Sequence, residues 1–440
     1  MNLTVMKKIT LYTLLFLLVY GNSFAQQEKG IIGYNNWLNP WTEFKPNKID
    51  YGKPTQILSG NISKDKTLYK RDIYLLLGDV FVTDSTVLTI EPGTVIIGDY
   101  KTKGSLTISK GASIIADGSH TDPIIFTSSR SVKKPGDWGG LFILGNAPTS
   151  KFGNESSLNY GLRPSDVESI SYGGNNANHS SGILRHVRIE FAGKRTKEYG
   201  YFNGLTLAGV GQQTIVENVM VSYCNGNSFQ FLGGSVILEK LVSYKSSRND
   251  YDFNYGTQCK IMNSLAIRSP YVSSPDVPRC IYVSAYTNKE DADLTKPQTF
   301  VNAENLTLIN LSTDLDYDIN VGLVNEAIYV GNDTSFLIDK SVISGFNPAV
   351  VFDSQIMINN ENLSKLKFTR TYFNNCNGNI FRKGYTNNDD LESWYGSRAF
   401  DNVYSKGPDS ETFIDAHTST RPDYRLRINR IIAANDSTDD

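Results

Sequence analysis

Three rows of polar side chains in this sequence have spacings suited to chemistry. In Asp250-Tyr251-Asp252-Phe253-Asn254-Tyr255, polar residues alternate with aromatic ones. On a β-strand this turns Tyr251, Phe253 and Tyr255 to one side and Asp250, Asp252 and Asn254 to the other. Asp314, Asp316, Asp318 and Asn320 repeat the pattern against Leu315, Tyr317 and Ile319. Carboxylates two residues apart repel one another unless a cation lies among them, and hard oxygen donors in a flexible arrangement suit Ca²⁺. The spacing is not that of an EF-hand loop, whose Gly and Glu are missing. A solvated acidic face that keeps a strand soluble explains the same rows without a ligand. The third row is His186, Arg188 and Glu190, with Lys194, Arg195 and Lys197 just beyond it. Its charges suit a carboxylated sugar, and its composition is also that of any exposed strand.

These rows need strands to hold them, and the chain is built of short alternating segments. Leu88-Thr89-Ile90-Glu91-Pro92-Gly93-Thr94 matches Leu106-Thr107-Ile108-Ser109-Lys110-Gly111-Ala112 at a step of 18 residues. Phe229-Gln230-Phe231 matches Tyr251-Asp252-Phe253 at a step of 22. Strands of period two, broken by Gly, Asn and Asp and recurring at this interval, mark a solenoid. One unit cannot bury its apolar row alone, so successive units stack about 4.8 Å apart. Propeller blades need longer periods, and leucine-rich repeats need a consensus that is absent. The fold expected is all-β, a parallel β-helix with irregular caps. Residues 26–72, with Trp37 and Trp41, are expected to plug its N-terminal end. Residues 73–382 form the helix, roughly 15 coils and ~70 Å long, and residues 383–440 form a C-terminal cap with a frayed tail.

Composition narrows the function classes. The 440 residues carry 43 basic and 45 acidic side chains, a net charge of −2, which excludes the strongly basic surface of a nucleic-acid binder. Lys7 and Lys8, the apolar run from Ile9 to Tyr20 and the small residues before Ala25 read as a secretory signal peptide over residues 1–25. No Cys follows it, so no bacterial lipid anchor is expected, and no later run is long enough to span a membrane as a helix. An exported chain with four cysteines permits disulfides. Cys259 and Cys280, 21 residues apart, are the candidate pair, and burial as small apolar residues is the alternative for all four.

Several motifs follow one another in fixed order: Gly60-Asn61-Ile62, Leu88 to Thr94, Ala116-Asp117-Gly118, Pro123 to Ser128, Gly136-Asp137-Trp138-Gly139-Gly140 and Leu144 to Pro148. With Arg188 to Gly193 and Asn203 to Leu207, this wording resembles a family of exported right-handed parallel β-helix proteins of Bacteroidota. The resemblance implies a place at the outer membrane, on the cell surface or in the periplasm, and association with TonB-dependent uptake systems. It implies no established catalysis.

Enzymes on this scaffold need more than the fold. A polysaccharide lyase needs a base of near-neutral pKa and a cation beside the uronate. A hydrolase of the pectinase kind needs paired Asp residues and a Gly-x-His-Gly turn, and His120, His179, His186 and His417 all lie outside such a turn. Asp389-Asp390 reads as a turn in a polar region. There is no Gly-x-Ser-x-Gly, His-Glu-x-x-His, P-loop or zinc-spaced cysteine pair. The reading is a non-catalytic exported rod that contacts a glycan, a protein or a TonB-dependent transporter. Its loops near residues 146–182 and 270–298 are placed for recognition. A Ca²⁺-assisted polysaccharide lyase and an adhesin are the alternatives.

Overall fold

The computed structural model describes residues 29–427 apart from 159–160, 198–199, 273–276 and 419. The signal peptide expected at 1–25 and the tail at 436–440 lie outside the described residues. Twenty-nine strands join in one sheet that winds as a parallel β-helix. Its ladders run down three faces. On the second face, Val80, Leu106, Leu141, Leu205, Phe229, Tyr251, Ile281, Ile328, Val350 and Ile380 hold one register position in successive coils. All ten point into the lumen and are buried. The rings of Phe229 and Tyr251 stack at 5.3 Å, and those of Phe231 and Phe253 at 4.6 Å. Like thus sits on like, so each coil supplies the apolar partner the next one needs.

The 22-residue match is a true coil-to-coil step, since Phe229 pairs with Tyr251. The 18-residue match is not. Leu88 pairs with Ile114 on the third face and Leu106 with Val80 on the second, 26 residues away in each case. The similar wording records two faces with the same demand, a short apolar strand and then a tight turn. Eleven parallel pairings along the first face join Gln56–Ile62 to Val403–Ser405. The helix therefore begins before residue 73 and continues past 382, with twelve coils and a ladder of ~53 Å. It is shorter than expected because insertions lengthen the coils; Ala116 and its third-face partner Leu184 are 68 residues apart.

The first face is apolar on its outer side too. Met220, Val242, Leu265, Val342, Tyr372 and Val403 share one outward register with Arg188. Water is kept from this row by residues 29–52, which run along the rod rather than plugging its end. Gly30 donates to the Lys340 carbonyl and Ile32 to Asn263, while Lys133 reaches the Ile49 carbonyl. Ile31, Leu38, Trp41 and Phe44 are buried against the row, together with Phe413, Tyr424 and Leu426 from a C-terminal hairpin. The C-terminal end of the lumen is closed by the helix Asp389–Tyr395, whose Leu391 and Tyr395 join the core.

A polar cleft on the second face as candidate functional site

The outer side of the second face changes character along the rod. Phe142 is covered by Leu158, Ile170 and Tyr172 of the long insertion. Beyond Thr206, the outward residues Gln230, Asp252 and Tyr282 are in register with one another and line a cleft of about 620 Å³. Asn203, Asn227 and Asn249 stand at one corner in consecutive coils. The side-chain oxygen of Asn203 accepts from the Asn227 amide at 3.1 Å, that of Asn227 from Asn249 at 3.0 Å, and that of Asn249 from Arg279 at 3.1 Å. Each corner is thereby locked to the next, and the side-chain nitrogens turn toward the outward row. Asn203 donates to Gln230 at 2.8 Å, and Asn249 donates to Asp252 at 2.8 Å.

Asp252 is the ionisable centre of this cleft. It is 6% exposed, and burial pushes its carboxyl up to about 6 despite the amide donors of Asn249 and Asn254. Asn254 gives its nitrogen to Asp252, and its buried oxygen has no protein donor. Arg248, Arg279, Tyr201 and Tyr282 complete the charged and aromatic lining. The Arg248 guanidinium lies 5.2 Å from the Tyr201 ring centre. Arg279 is held at 2.7 Å by Glu326.

Behind the cleft lies a sealed ion pair. Arg268 meets Asp250 at 2.9 Å, and both are buried. Arg268 also donates to the carbonyls of Arg248 at 2.8 Å, Arg279 at 3.3 Å and Ser246 at 3.2 Å. It therefore ties together the two corners that carry the cleft's arginines.

The residues singled out from sequence are distributed differently from expectation. Asp252 and Asn254 do face outward under neighbouring side chains and loops, but Asp250 turns to the inside of the corner, where Ser243 donates to it at 2.5 Å and Arg268 pairs with it, so no open acidic row forms. Tyr255 leaves the lumen for the outer cluster around Phe142 and Tyr172, because its φ of 53° breaks the alternation. Asp314, Asp316 and Asp318 belong to the helical segment Leu315–Asn320 and its cap, not to a strand. Asp314 caps the helix, and Asp318 is buried against Ser312 and Tyr271. Ca²⁺ takes six to eight oxygen ligands, and neither set fits it, since Asp250 is already neutralised by Arg268. Among the described residues no group of three or more His, Cys, Asp or Glu side chains could hold a metal ion.

The row His186, Arg188 and Glu190 is not an open face either. His186 has a φ of 47° and makes the corner between the third and first faces, as Asn218, Lys240 and Asn263 do in the following coils. Its ring packs edge-on to Trp41 at 5.8 Å. Arg188 and Glu190 are buried under residues 29–52, where Tyr51 accepts from Arg188 at 2.8 Å and donates to Glu190 at 3.0 Å. Lys194 is buried against Asp79 at 2.9 Å. Arg195 and Lys197 are exposed, and Arg195 lies 5.6 Å from the ring centre of Tyr201, which lines the cleft. All four cysteines are free thiols: Cys259 lies in the third-face ladder and Cys280 just before a second-face strand, so the candidate disulfide is not formed. Sequence reasoning missed the asparagine corner, although Asn203, Asn227 and Asn249 recur at steps of 24 and 22 residues.

No curated protein sequence matches the chain. Among solved structures, the Dettilon tailspike protein is 14% identical, with 71% of this chain and 62% of that one covered, at a TM-score of 0.30. The chain thus spans less than two thirds of that tailspike. A pectin methylesterase in complex with a hexasaccharide is 8% identical, with 74% and 85% covered, at 0.28. The Streptococcus pneumoniae surface protein and adhesin PfbA is 9% identical, with 80% and 90% covered, at 0.25. Residues 60–412 match the family model described as a pectate-lyase like beta helix domain, and this chain belongs to that family.

Proposed function

We propose that this chain is an exported, non-catalytic glycan-binding β-helix that takes a sugar into the cleft above Asp252. The observation that carries this reading is the lining: buried amides and one buried carboxyl facing a cleft of about 620 Å³ beside two tyrosine rings. Asn254 lines the cleft and donates its amide to Asp252, which holds that carboxyl in place. Hydroxyls that both donate and accept suit the amides, and the C–H face of a pyranose packs on an aromatic ring. Binding is favoured over hydrolysis because glycoside cleavage needs two carboxyl groups flanking the bond. Asp252 is the sole carboxylate among the described residues that line the cleft. Export rests on the leader at residues 1–25. Association with the outer membrane and with a TonB-dependent transporter, as the sequence resemblance implies, belongs to the same proposal.

Glycan-array screening followed by calorimetry tests the reading. A glycan should be retained, and Asp252→Ala or Asn254→Ala should weaken it by about tenfold or more with the melting temperature kept. A chain that retains no glycan, or variants that bind as tightly as the parent, would overturn it. A lyase is the second reading, favoured by the Asp252 carboxyl raised to about 6, a fit value for a general base. Unsaturated product accumulating on acidic polysaccharides, and lost in Asp252→Asn, would establish it instead.

A further inference from the structure

A second cavity, of about 390 Å³, opens on the first face where residues 29–52 leave it. Cavities of roughly 300–1,000 Å³ are the size that holds small molecules. Two segments far apart in sequence wall it. Residues 47–54 bring Lys48 and Lys53, and residues 128–133 bring Arg130 and Lys133. Asp50 is the sole carboxylate among the described lining residues, and it is turned into its own bend, accepting from the Gly52 amide at 2.9 Å. Four cations thus face one carboxylate in a chain whose net charge is −2. Among the described residues Arg130 is the one member of the four with a carboxylate partner: its Nε meets Asp137 at 2.7 Å. Its guanidinium carbon lies 4.4 Å from the Tyr100 ring centre, so the group is held while its two outer nitrogens stay available. Lys133 donates to the Ile49 carbonyl at 3.0 Å, which brings its ammonium against the other segment. Ser129 accepts from the Tyr100 amide at 2.9 Å and keeps its own hydroxyl hydrogen to donate. Cations elsewhere on the outer faces are matched: Arg185 lies between Asp117 and Glu217, and Arg370 pairs with Asp339.

We infer that this cavity binds a phosphate monoester, with the phosphate clamped between the two segments. Charge decides the class. A phosphate monoester carries about −1.5 to −2 at neutral pH and offers three strong acceptor oxygens, whereas a sulfate ester or a carboxylate carries a single charge. Arginine presents phosphate with a planar pair of donors and lysine with a point charge, and the cavity supplies both kinds. Tyr51 and Ile97 line the rest of it, beside the carrier of the phosphate. The site lies on the first face, apart from the cleft above Asp252, and does not depend on what that cleft binds. A soluble sugar phosphate and a phosphatidate headgroup present the same group, and the experiment separates them.

The test is calorimetry of the full chain with glucose 6-phosphate and glucose 6-sulfate, beside sedimentation with phosphatidylcholine vesicles that contain or lack phosphatidate. The phosphate should bind about tenfold or more tighter than the sulfate. The double variant Lys48→Met/Lys53→Met should weaken phosphate binding by about tenfold or more and keep the melting temperature of the free chain. Because the ligand joins two segments, saturating glucose 6-phosphate should raise the melting temperature of the parent and leave that of the double variant unchanged. Asp252→Ala should bind glucose 6-phosphate as tightly as the parent does. Binding of glucose 6-phosphate supports the site with a soluble molecule as its source. Retention on phosphatidate vesicles alone, lost in the double variant, supports it with a lipid as its source. No binding of either phosphate, equal affinity for the sulfate, or an affinity unchanged in the double variant would overturn the inference. Loss of phosphate binding in Asp252→Ala would place the ligand in the cleft and overturn it as well.

Discussion

Asp252 is the residue in which fold and function conflict most. Its carboxyl, raised by burial from 3.8 to about 6, is charged at neutral pH in a place that opposes charge. A raised carboxyl binds its proton more readily in the folded chain than in the unfolded one. Its ionised form therefore lowers stability above about pH 6, and that loss fades as pH falls toward 4. The shift corresponds to about 3 kcal/mol. The parent chain, compared with Asp252→Asn, should gain about 2 kcal/mol of this between pH 7.5 and about 4.5, and the rest only below about pH 4. Urea midpoints at several pH values measure it, and parallel pH curves for the two proteins would refute it. Arg268 supports the same site from behind. Arg268→Ala would leave Asp250 buried and unpaired, at a cost of ~3–5 kcal/mol. The double variant Asp250→Leu/Arg268→Met should recover most of that stability. It should not recover glycan affinity, because the side chain that ties the Arg248 corner to the Arg279 corner is gone. Equal recovery of both would show that the pair does not position the cleft.

At the scale of elements, residues 29–52 decide how independent the coils are. A solenoid whose coils touch only their neighbours unfolds in separable pieces. Here one segment reaches from the coil of Lys340, through Thr307 and Asn263, to the coil of Glu190. Arg425 adds the C-terminal hairpin by donating to the Gly33 carbonyl at 2.8 Å. Deleting residues 29–52 should expose Met220, Val242, Leu265 and Val342 and split a single urea transition into two or more. Fluorescence and far-ultraviolet dichroism that still unfold together would show that the coils cohere without this segment. Local backbone also matters at this scale. His186 looked like an outward strand residue because alternation continues on either side of it. Its left-handed conformation turns the chain between two faces instead, and the residues beyond it pass under the strap.

Over the whole molecule, the three faces divide the work. The first is roofed by the two ends of the described chain, and the second is covered over Phe142 but open above Asp252. Insertions from neighbouring coils meet even though they are far apart in sequence; those of Arg279 and Glu326 are such a pair. No helix among the described residues is long and apolar enough to cross a membrane. The rod and its insertions together make the cleft, since neither the outward row of Gln230, Asp252 and Tyr282 nor the loop from Val277 to Arg279 encloses it alone.

The amino-acid sequence determined the parallel β-helix. Period-two strands with Gly and Asn at their ends can bury an apolar row only by stacking, so the repeat dictates the fold, and Phe229 on Tyr251 is that rule at one position. It also marked Asp252 and Asn254 as outward, because alternation is local. What lies over an outward residue is not local. Arg188 and Glu190 are closed off by a segment about 140 positions earlier in the chain, and Asp250 is neutralised by an arginine of the next coil. Which face each strand joins depends on the length of every insertion before it, and that length is set by the tertiary path. Only the folded chain could therefore decide that the buried row is structural and that the cleft belongs to the second face.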